Sequence, residues 1–235
     1  MRRTAMGIME IDMTVDKEPC VTARKVGVRG LPEWDQVAAL FEGADSCRLG
    51  QFWRKGHDAG YQPAEVRVAW NDDGLLVHAV LRDADPFNDV ETFNALSYLV
   101  GDVFEIFLRP TEQPAYFEFH VTPLNQKLQL RFPQAGGARG LPIDTFKLYD
   151  RRIGSRARLT ADGQGWEVLA LLPFDMVSEC GAVTRGTEWL FSFSRYDYTR
   201  GVKEPVLSST SPHTRIGFHT QADWGTLVFG PPKGA

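Results

Sequence analysis

Long apolar runs, a basic surplus and paired cysteines are all missing from this sequence of 235 residues. No window approaches the roughly 18 to 20 consecutive apolar residues that a membrane-spanning helix needs. Lysine and arginine total 26 against 30 aspartate and glutamate residues, a formal net charge of −4 without basic clusters. Neither a membrane nor a nucleic acid is therefore expected as a partner.

The cysteine content and the N-terminal segment bear on the cellular compartment. Cys20, Cys47 and Cys180 are far apart and form no Cys-x-x-Cys pair. Three cysteines cannot all pair within one chain, which favours buried thiols or a reducing compartment. Residues 1–16 contain two arginines followed by acidic side chains, without the apolar stretch of a signal peptide. We therefore expect a cytoplasmic location.

Several motifs that identify large enzyme classes are absent. The sequence contains no GxSxG elbow, P-loop, GxGxxG fingerprint or HExxH helix. Its five histidines include no pair at the i, i+2 or i, i+4 spacing that builds a metal site on one element. The hydrophobic fraction of 43% is ordinary for a folded globular chain. These absences favour a binding protein over a catalyst.

Most of the chain alternates between apolar and polar residues. In residues 64–70, Val66 and Val68 share one face of a predicted strand, and the polar side chains share the other. Residues 71–74, Asn-Asp-Asp-Gly, form a turn signal, and an apolar segment returns at 75–81. This pattern predicts a β-hairpin.

The strands predicted at 103–109 and 115–121 have informative polar faces. Their expected buried side chains are Phe104, Ile106, Leu108, Phe117 and Phe119. Glu105, Glu118 and His120 fall on the opposite, outward face. We interpret that face as the candidate site.

The remaining pattern indicates an all-β protein. Further strands are predicted at 127–132, 151–159, 166–172, 189–195 and 226–229, and short helices at 32–41, 90–99 and 173–180. About ten strands without β–α alternation predict a two-sheet antiparallel β-sandwich with a few short helices. We find no internal repeat or linker, and expect one domain over residues 1–235.

Five segments together resemble the family-9 carbohydrate-binding modules. The family's W-D-x-x-x-L-Y-V hairpin is similar to residues 66–77, VRVAWNDDGLLV, and its D-x-V-E-I-F strand to residues 102–108, DVFEIFL. The later segments are GWEVLALLPF at 165–174, Ser211-Pro212, and Phe218-His219 followed by WGTL at 224–227. The resemblance covers about residues 64–229.

The resemblance implies a β-sandwich that holds a mono- or oligosaccharide between two aromatic rings. Glu105 matches a sugar-contacting glutamate, while His120 and Glu118 stand where the family has an arginine and a glutamine. Phe218 falls at one stacking tryptophan, and Tyr98 or Leu99 at the other. With both indoles replaced, we expect weaker stacking.

Each of these residues also has a purely structural interpretation. Phe218 could cap the core beside Trp224, Tyr98 could end a helix packed on the sheet, and His120 could be a surface histidine. Arg195 is either an edge residue or part of the far wall of the site, as are Tyr196 and Tyr198. We place Arg195 in the site because a fixed bidentate donor is uncommon on a bare sheet.

A bound calcium ion is suggested only by the resemblance, because members of the family bind calcium. Asp83 and Asp85 could serve such an oxygen-seeking cation, although an isolated Asp-x-Asp is more often a strand-end turn. We therefore predict no metal and no other cofactor from the residues themselves.

Three functions are compatible with these observations. The first is non-catalytic carbohydrate binding, and the second is a degenerate sandwich that binds another small polar ligand or a protein partner. The third, ranked last, is a glycoside-acting enzyme that uses Glu105 and Glu118 as its carboxyl pair. An exposed ring beside clustered polar groups would favour a sugar, and a broad apolar patch would favour a protein.

Overall fold

A computed structural model describes residues 19–136 and 140–232. Within these ranges it contains strands β1 (Cys20–Lys25), β2 (Ser46–Arg48), β3 (Ala64–Trp70), β4 (Gly74–Arg82), β5 (Val103–Pro110), β6 (Tyr116–Val121), β7 (Lys127–Phe132), β8 (Gly154–Leu159), β9 (Gly165–Pro173), β10 (Glu188–Asp197), β11 (Val206–Ser209) and β12 (Gly225–Pro232). The helices are α1 (Trp34–Phe41) and α2 (Phe174–Val177), with 3-10 turns at Ser97–Leu99, Ile143–Phe146 and Gln221–Asp223.

The strands pair in the order β7-β6-β5-β10-β12-β1-β3-β4-β9-β8, with β11 on β10 and β2 on β3. This sheet curls so that β5, β6 and β10 pack against β3, β4 and β9. One buried cluster contains Phe104 and Phe119 from the first group together with Val77 and Val168 from the second. The all-β, two-layer sandwich predicted from the alternation is confirmed.

Strand β1 departs from the antiparallel pattern. It lies between β12 and β3 and runs parallel to both, whereas the other pairs of named strands in the described part are antiparallel. Parallel neighbours need a long connection, and residues 26–63, which include α1 and β2, supply it between β1 and β3. The sheet therefore contains both parallel and antiparallel strand pairs, and the parallel pairs lie where its two layers join.

Residues 90–99 do not form the predicted helix. Only Ser97–Leu99 is helical, as a 3-10 turn. Asn94 adopts a positive φ of 62°, outside the right-handed helical region, and its side-chain amide donates to the Leu148 carbonyl at 2.7 Å. This long-range hydrogen bond holds the segment over the sheet and interrupts the helical pattern.

Both faces of β5 and β6 are buried. Phe104, Ile106 and Phe119 are fully enclosed between the layers, as expected. The opposite face is covered by a second apolar cluster that includes Phe146, Phe218 and Trp224. Glu105, Glu118 and His120 lie on the face opposite Phe104 and Phe119, as predicted, but they are buried, and the alternative in which His120 is a surface histidine is wrong. The cause is the loops that fold over β5 and β6.

Several features bear on compartment and partners. Cys47 is a buried free thiol whose pKa is raised to about 12, first by burial and then by the charge of Asp45, while Cys20 and Cys180 are free and exposed. No helix in the described ranges is long and apolar enough to cross a membrane. The N-terminal segment used for the cytoplasmic prediction lies outside the described residues.

Candidate ligand-binding site

The candidate site is assembled by the register of β5 and β6. Glu105 is paired directly opposite His120, and Glu118 lies two residues before His120 on the same strand. Because side chains alternate between faces, all three project from the same face of the layer. The strand pattern alone thus brings two carboxyl groups and one imidazole together.

The two carboxyl groups converge on one nitrogen. His120 Nε2 lies 2.6 Å from Glu118 Oε1 and 3.2 Å from Glu105 Oε1. The other ring nitrogen, Nδ1, is 3.1 Å from the Ser97 hydroxyl, which orients the ring. Exposure is 0% for His120, 3% for Glu105 and 5% for Glu118, so the cluster is shielded from bulk water.

Burial and the neighbouring imidazole together shift the pKa values of the two carboxyl groups in opposite directions. Desolvation, followed by the charge of Glu118, raises the pKa of Glu105 well above its ordinary value. Desolvation acts in the same direction on Glu118, but the hydrogen bond and charge of His120 outweigh it and lower the pKa of Glu118. Glu118 is therefore the carboxylate of the pair at neutral pH, and Glu105 is the group that tends to retain a proton.

A cavity of about 250 Å³ opens above this cluster. Its floor includes Glu105 and Glu118, and His219 lies at its edge. The walls are formed mainly by Tyr98, Phe107, Ile143, Tyr196, Ile216 and Phe218. Among the described residues, neither lysine nor arginine lines it.

The aromatic wall is continuous. Tyr196 lies between Tyr98 and Phe218, with ring centroids 5.9 Å from each. Phe218 is only 5% exposed and its carbonyl accepts a hydrogen bond from the Trp224 indole at 2.8 Å, so this residue belongs to the core as well as to the wall. Tyr98 is half-buried and contacts His120 at a centroid distance of 5.8 Å.

Two carboxyl oxygens on the cavity floor have hydrogen-bonding capacity that no described residue uses. Glu105 Oε2 and Glu118 Oε2 are buried and have no hydrogen-bond partner among the residues that the structure describes. The imidazole of His219 is close to Glu118 Oε2, but at 3.6 Å it is too distant for a hydrogen bond. A buried polar atom without a partner costs about 1 to 3 kcal/mol, so this floor is suited to a ligand that supplies donors.

Arg195 does not reach this cavity. On β10 it is paired with Phe104, whereas Ser194 is paired with Glu105, so the Arg195 side chain projects from the opposite face. It donates to the Arg82 carbonyl at 2.6 Å and to Asp83 Oδ2 at 2.9 Å. The expectation that Arg195 faces the site is wrong, and the alternation with Phe193 inward already implied this orientation.

The position of Arg195 defines a second charged cluster, composed of Arg195, Asp83, Asp102 and Asp197. Arg195 is fully buried and lies 3.1 Å from Asp197 Oδ1 in addition to its bond with Asp83. Asp102 accepts backbone N–H groups at both oxygens, each at 2.7 Å. Burial is the main cause that raises the pKa of Asp102 to about 8 and that of Asp197 to about 7.

Neither carboxylate cluster fits calcium. Calcium takes six to eight oxygen ligands, and in the Asp83 cluster a guanidinium already lies within bonding distance of two carboxylates. The cavity cluster contributes an imidazole, a poor ligand for this ion. Asp83 and Asp85 form a turn in which the Asp85 N–H donates to Asp83 Oδ1 at 2.8 Å. Asp85 itself pairs with Arg200.

Sequence reasoning missed part of this site. His219 was quoted in the family motif without a role, yet its Nδ1 lies 2.9 Å from the Tyr116 hydroxyl, at the edge of the cavity. Ser97, which orients His120, carries no signal in the sequence. Of the two positions that the sequence allows for Tyr196, an edge or the wall of the site, the structure shows the wall.

A larger cavity of about 670 Å³ lies elsewhere, beside Trp70 and Phe174. Its charged residues include Lys25 and Asp72, which already form a 2.7 Å ion pair. The Trp70 indole donates to the Gly230 carbonyl at 2.9 Å. Because these groups are partnered, the smaller cavity remains the candidate site.

Comparison with known proteins identifies the class of fold. A crystal structure of a candidate carbohydrate-binding protein from Bacteroides uniformis ATCC 8492 aligns over 91% of this chain and all of its own, with a TM-score of 0.71 and 19% identity. Two structures of a family-9 carbohydrate-binding module from Caldicellulosiruptor kristjanssonii, with cellotriose and with glucose, align over 92% of this chain and 96% and 98% of their own. Their TM-scores are 0.62 and 0.63, at 15% identity.

The fold is therefore that of the family-9 carbohydrate-binding modules, over most of the chain. No protein-family model matches the sequence, and no curated protein matches it significantly.

Proposed function

We propose that this protein binds a mono- or oligosaccharide, without transforming it, in the cavity above Glu105 and Glu118. The observation that carries the proposal is the pair of buried carboxyl oxygens that lack partners among the described residues beneath a wall of aromatic rings. A sugar offers both complements, because its hydroxyls donate hydrogen bonds and its C–H face packs against rings.

The cavity suits one sugar ring. At about 250 Å³ it is slightly smaller than the common range for small-molecule sites, which begins near 300 Å³. Tyr98, Tyr196 and Phe218 present smaller rings than an indole, so the stacking is weak. We expect affinities on the order of 10 μM to 1 mM, equivalent to about 4 to 7 kcal/mol.

The solved neighbours support the ligand class. The module from Caldicellulosiruptor kristjanssonii was crystallised with glucose and with cellotriose. At 15% identity this likeness concerns the fold, so the sugar of this chain has to be established by its own binding measurements.

The proposal is tested by a glycan array followed by titration calorimetry on the best saccharides. The full-length protein is compared with Glu105→Ala and with Glu112→Gln, a control at an exposed position outside the cavity. We expect binding by the parent and the control, and a tenfold or larger loss in Glu105→Ala. Equal binding by all three proteins would place the ligand elsewhere.

A glycoside-acting enzyme is the second candidate, favoured by one observation. Glu105 and Glu118 have pKa values shifted in opposite directions, which is the pattern of an acid and a nucleophile or base. However, both contact the same imidazole nitrogen and do not face each other across a cleft. We expect no hydrolysis of aryl glycosides above the buffer rate; a rate abolished by Glu105→Gln would establish the enzyme.

A further inference from the structure

The candidate cavity has an uneven balance of charge. Its floor contains two carboxyl groups, and the described lining residues include no lysine or arginine. His120 is already shared between Glu105 and Glu118 through one nitrogen. His219 is half-exposed at the edge and lies 3.6 Å from the nearer carboxyl oxygen. The cavity therefore favours a ligand group with positive charge and disfavours one with negative charge.

The free hydrogen-bonding atoms of the floor also favour a positively charged ligand group. The two atoms without partners among the described residues, Glu105 Oε2 and Glu118 Oε2, are both carboxyl oxygens. An ammonium group has three donors and no acceptor, and its hydrogen bonds to a carboxylate are roughly twice as strong as those between neutral groups. Glu118 is already ionised, and an ammonium group beside Glu105 would favour the ionised form of that carboxyl as well, so one ammonium group can serve both oxygens.

The walls also suit a cation. Tyr98, Tyr196 and Phe218 follow one another along the cavity at centroid spacings of 5.9 Å. The face of an aromatic ring attracts a cation held within about 6 Å of its centre. Rings above and carboxyl oxygens below both attract the charge of an ammonium group, whereas a hydroxyl gains only the weaker hydrogen bonds of a neutral donor.

We propose that the ligand is an amino sugar whose protonated amine is held between Glu105 and Glu118 beneath the aromatic wall. This inference rests on the proposed function and narrows it to one class of saccharide. Uronic acids and sugar phosphates are disfavoured, because their negative charge would lie against the buried carboxyl groups, and the described lining includes no lysine or arginine to offset it.

The test uses matched sugars of the gluco, galacto and manno series, titrated into the full chain by calorimetry at pH 6. Each series contains the neutral hexose and its 2-amino, 2-N-acetylamino and uronic acid derivatives. We expect the 2-amino sugar of one series to bind roughly tenfold more tightly than its neutral parent, the difference between a charged and a neutral hydrogen bond. The N-acetyl form, which keeps the nitrogen and loses the charge, should have no such advantage, and the uronate should not bind.

Variants test whether the carboxyl groups of the cavity floor cause the preference for amino sugars. Glu118→Gln retains the shape and removes the charge, so the ratio of amino to neutral affinity should fall to about one. Glu112→Gln makes the same change at an exposed position outside the cavity and should retain the parent ratio. If Glu118→Gln does not fold, as judged by its melting curve, Glu105→Gln replaces it.

The outcomes separate the two proposals. A neutral sugar that binds as well as or better than its amino derivative overturns the amino-sugar inference and leaves carbohydrate binding intact. An amino-sugar preference that persists unchanged in the floor variant also overturns the inference. Failure of every sugar in the three series and of every saccharide on the glycan array to bind overturns the proposed function itself.

Discussion

Two buried charged clusters lie on opposite faces of the layer that contains β5, β6 and β10. In the cavity cluster, Glu105 and Glu118 share the imidazole of His120 beneath an open space. In the Arg195 cluster, between the two layers of the sandwich, a guanidinium is bonded to carboxylates and a backbone carbonyl. Each cluster contains more carboxyl groups than cations.

The difference between the clusters is the identity and placement of the cation. Arg195 is permanently charged and presents a fixed fork of donors, so it neutralises and spaces the carboxylates around it. A histidine is a weaker cation with two donors at most, and one of its nitrogens already faces Ser97. The Arg195 cluster is not fully satisfied either, since Arg195 Nε and Asp197 Oδ2 have no partner in the described ranges. What distinguishes the cavity cluster is that its free acceptors adjoin a space that a ligand can enter.

The largest expected effect is the loss of stability caused by a substitution at Arg195. Arg195→Met removes the cation and leaves buried carboxylates uncompensated, which should lower the free energy of unfolding by about 3 to 5 kcal/mol. For a chain of this size the melting temperature should fall by roughly 6 to 20 °C, which differential scanning calorimetry would measure.

Arg200→Met is the matched control for that experiment. Arg200 forms an exposed ion pair with Asp85 at 3.3 Å, and such surface pairs contribute no more than about 1 kcal/mol. Equal losses in Arg195→Met and Arg200→Met would show that the buried cluster has no special structural role.

The cavity cluster should respond in binding and not in stability. Glu105→Ala removes an acceptor and should weaken sugar binding by about 1.5 to 3 kcal/mol, or ten- to hundredfold. Its free energy of unfolding should change by less than about 1 kcal/mol, because deleting a buried carboxyl group also removes its desolvation cost. Calorimetric titration and thermal unfolding of the same preparation measure both quantities. A large drop in stability with unchanged affinity would reverse the roles assigned to the two clusters.

The pH dependence of stability sharpens the comparison further. The pKa of Asp197 is raised from 3.8 to about 7, so the folded protein retains a proton that the unfolded chain releases near pH 4. This contribution to stability is complete below about pH 4 and is lost as the pH rises to about 7. Glu105 and Asp102 also have raised pKa values and act in the same direction.

Asp197→Asn should therefore flatten the profile of melting temperature against pH between about pH 4 and 7. Asp85→Asn, at a more exposed aspartate of the neighbouring turn, should leave the profile unchanged. If the difference in melting temperature between Asp197→Asn and the parent stayed constant from pH 4 to 7, the direction assigned to Asp197 would be contradicted.

The smallest expected effect concerns the aromatic wall. Tyr98→Leu keeps an apolar side chain and removes the ring, which should weaken binding by about 0.5 to 1.5 kcal/mol. Tyr149→Leu removes an exposed ring outside the cavity and should leave affinity unchanged. Both affinities follow from the same calorimetric titration. If Tyr98→Leu also binds as the parent does, the ligand does not contact this end of the wall.

Much of the site was predictable because the direction of each side chain depends on alternation along a single strand. Alternation along residues 103–109 and 115–121 places Glu105, Glu118 and His120 on one face, and the structure pairs the two strands in that register. The same rule assigns Arg195 to the face of Phe193, and the structure agrees with the rule and not with the role that we assigned. Alternation therefore predicted orientation more reliably than the chemical preference of a residue type did.

The sequence by itself determined nine of the strands, their inward and outward sides and the two-layer class of the fold, because each depends on neighbours two residues apart, whereas β1, β2 and β11 were not predicted. The tertiary structure alone decided that the outward side of β5 and β6 is buried and which residues surround it. Phe218 and His219 come from a segment about a hundred residues beyond β6, and Tyr196 reaches the cavity because β10 pairs with β5. Alternation specifies which side of a strand a residue occupies, but contacts between distant segments specify what covers that side. Those contacts turned the outward side of β5 and β6 into a shielded cavity with two carboxyl groups at its floor.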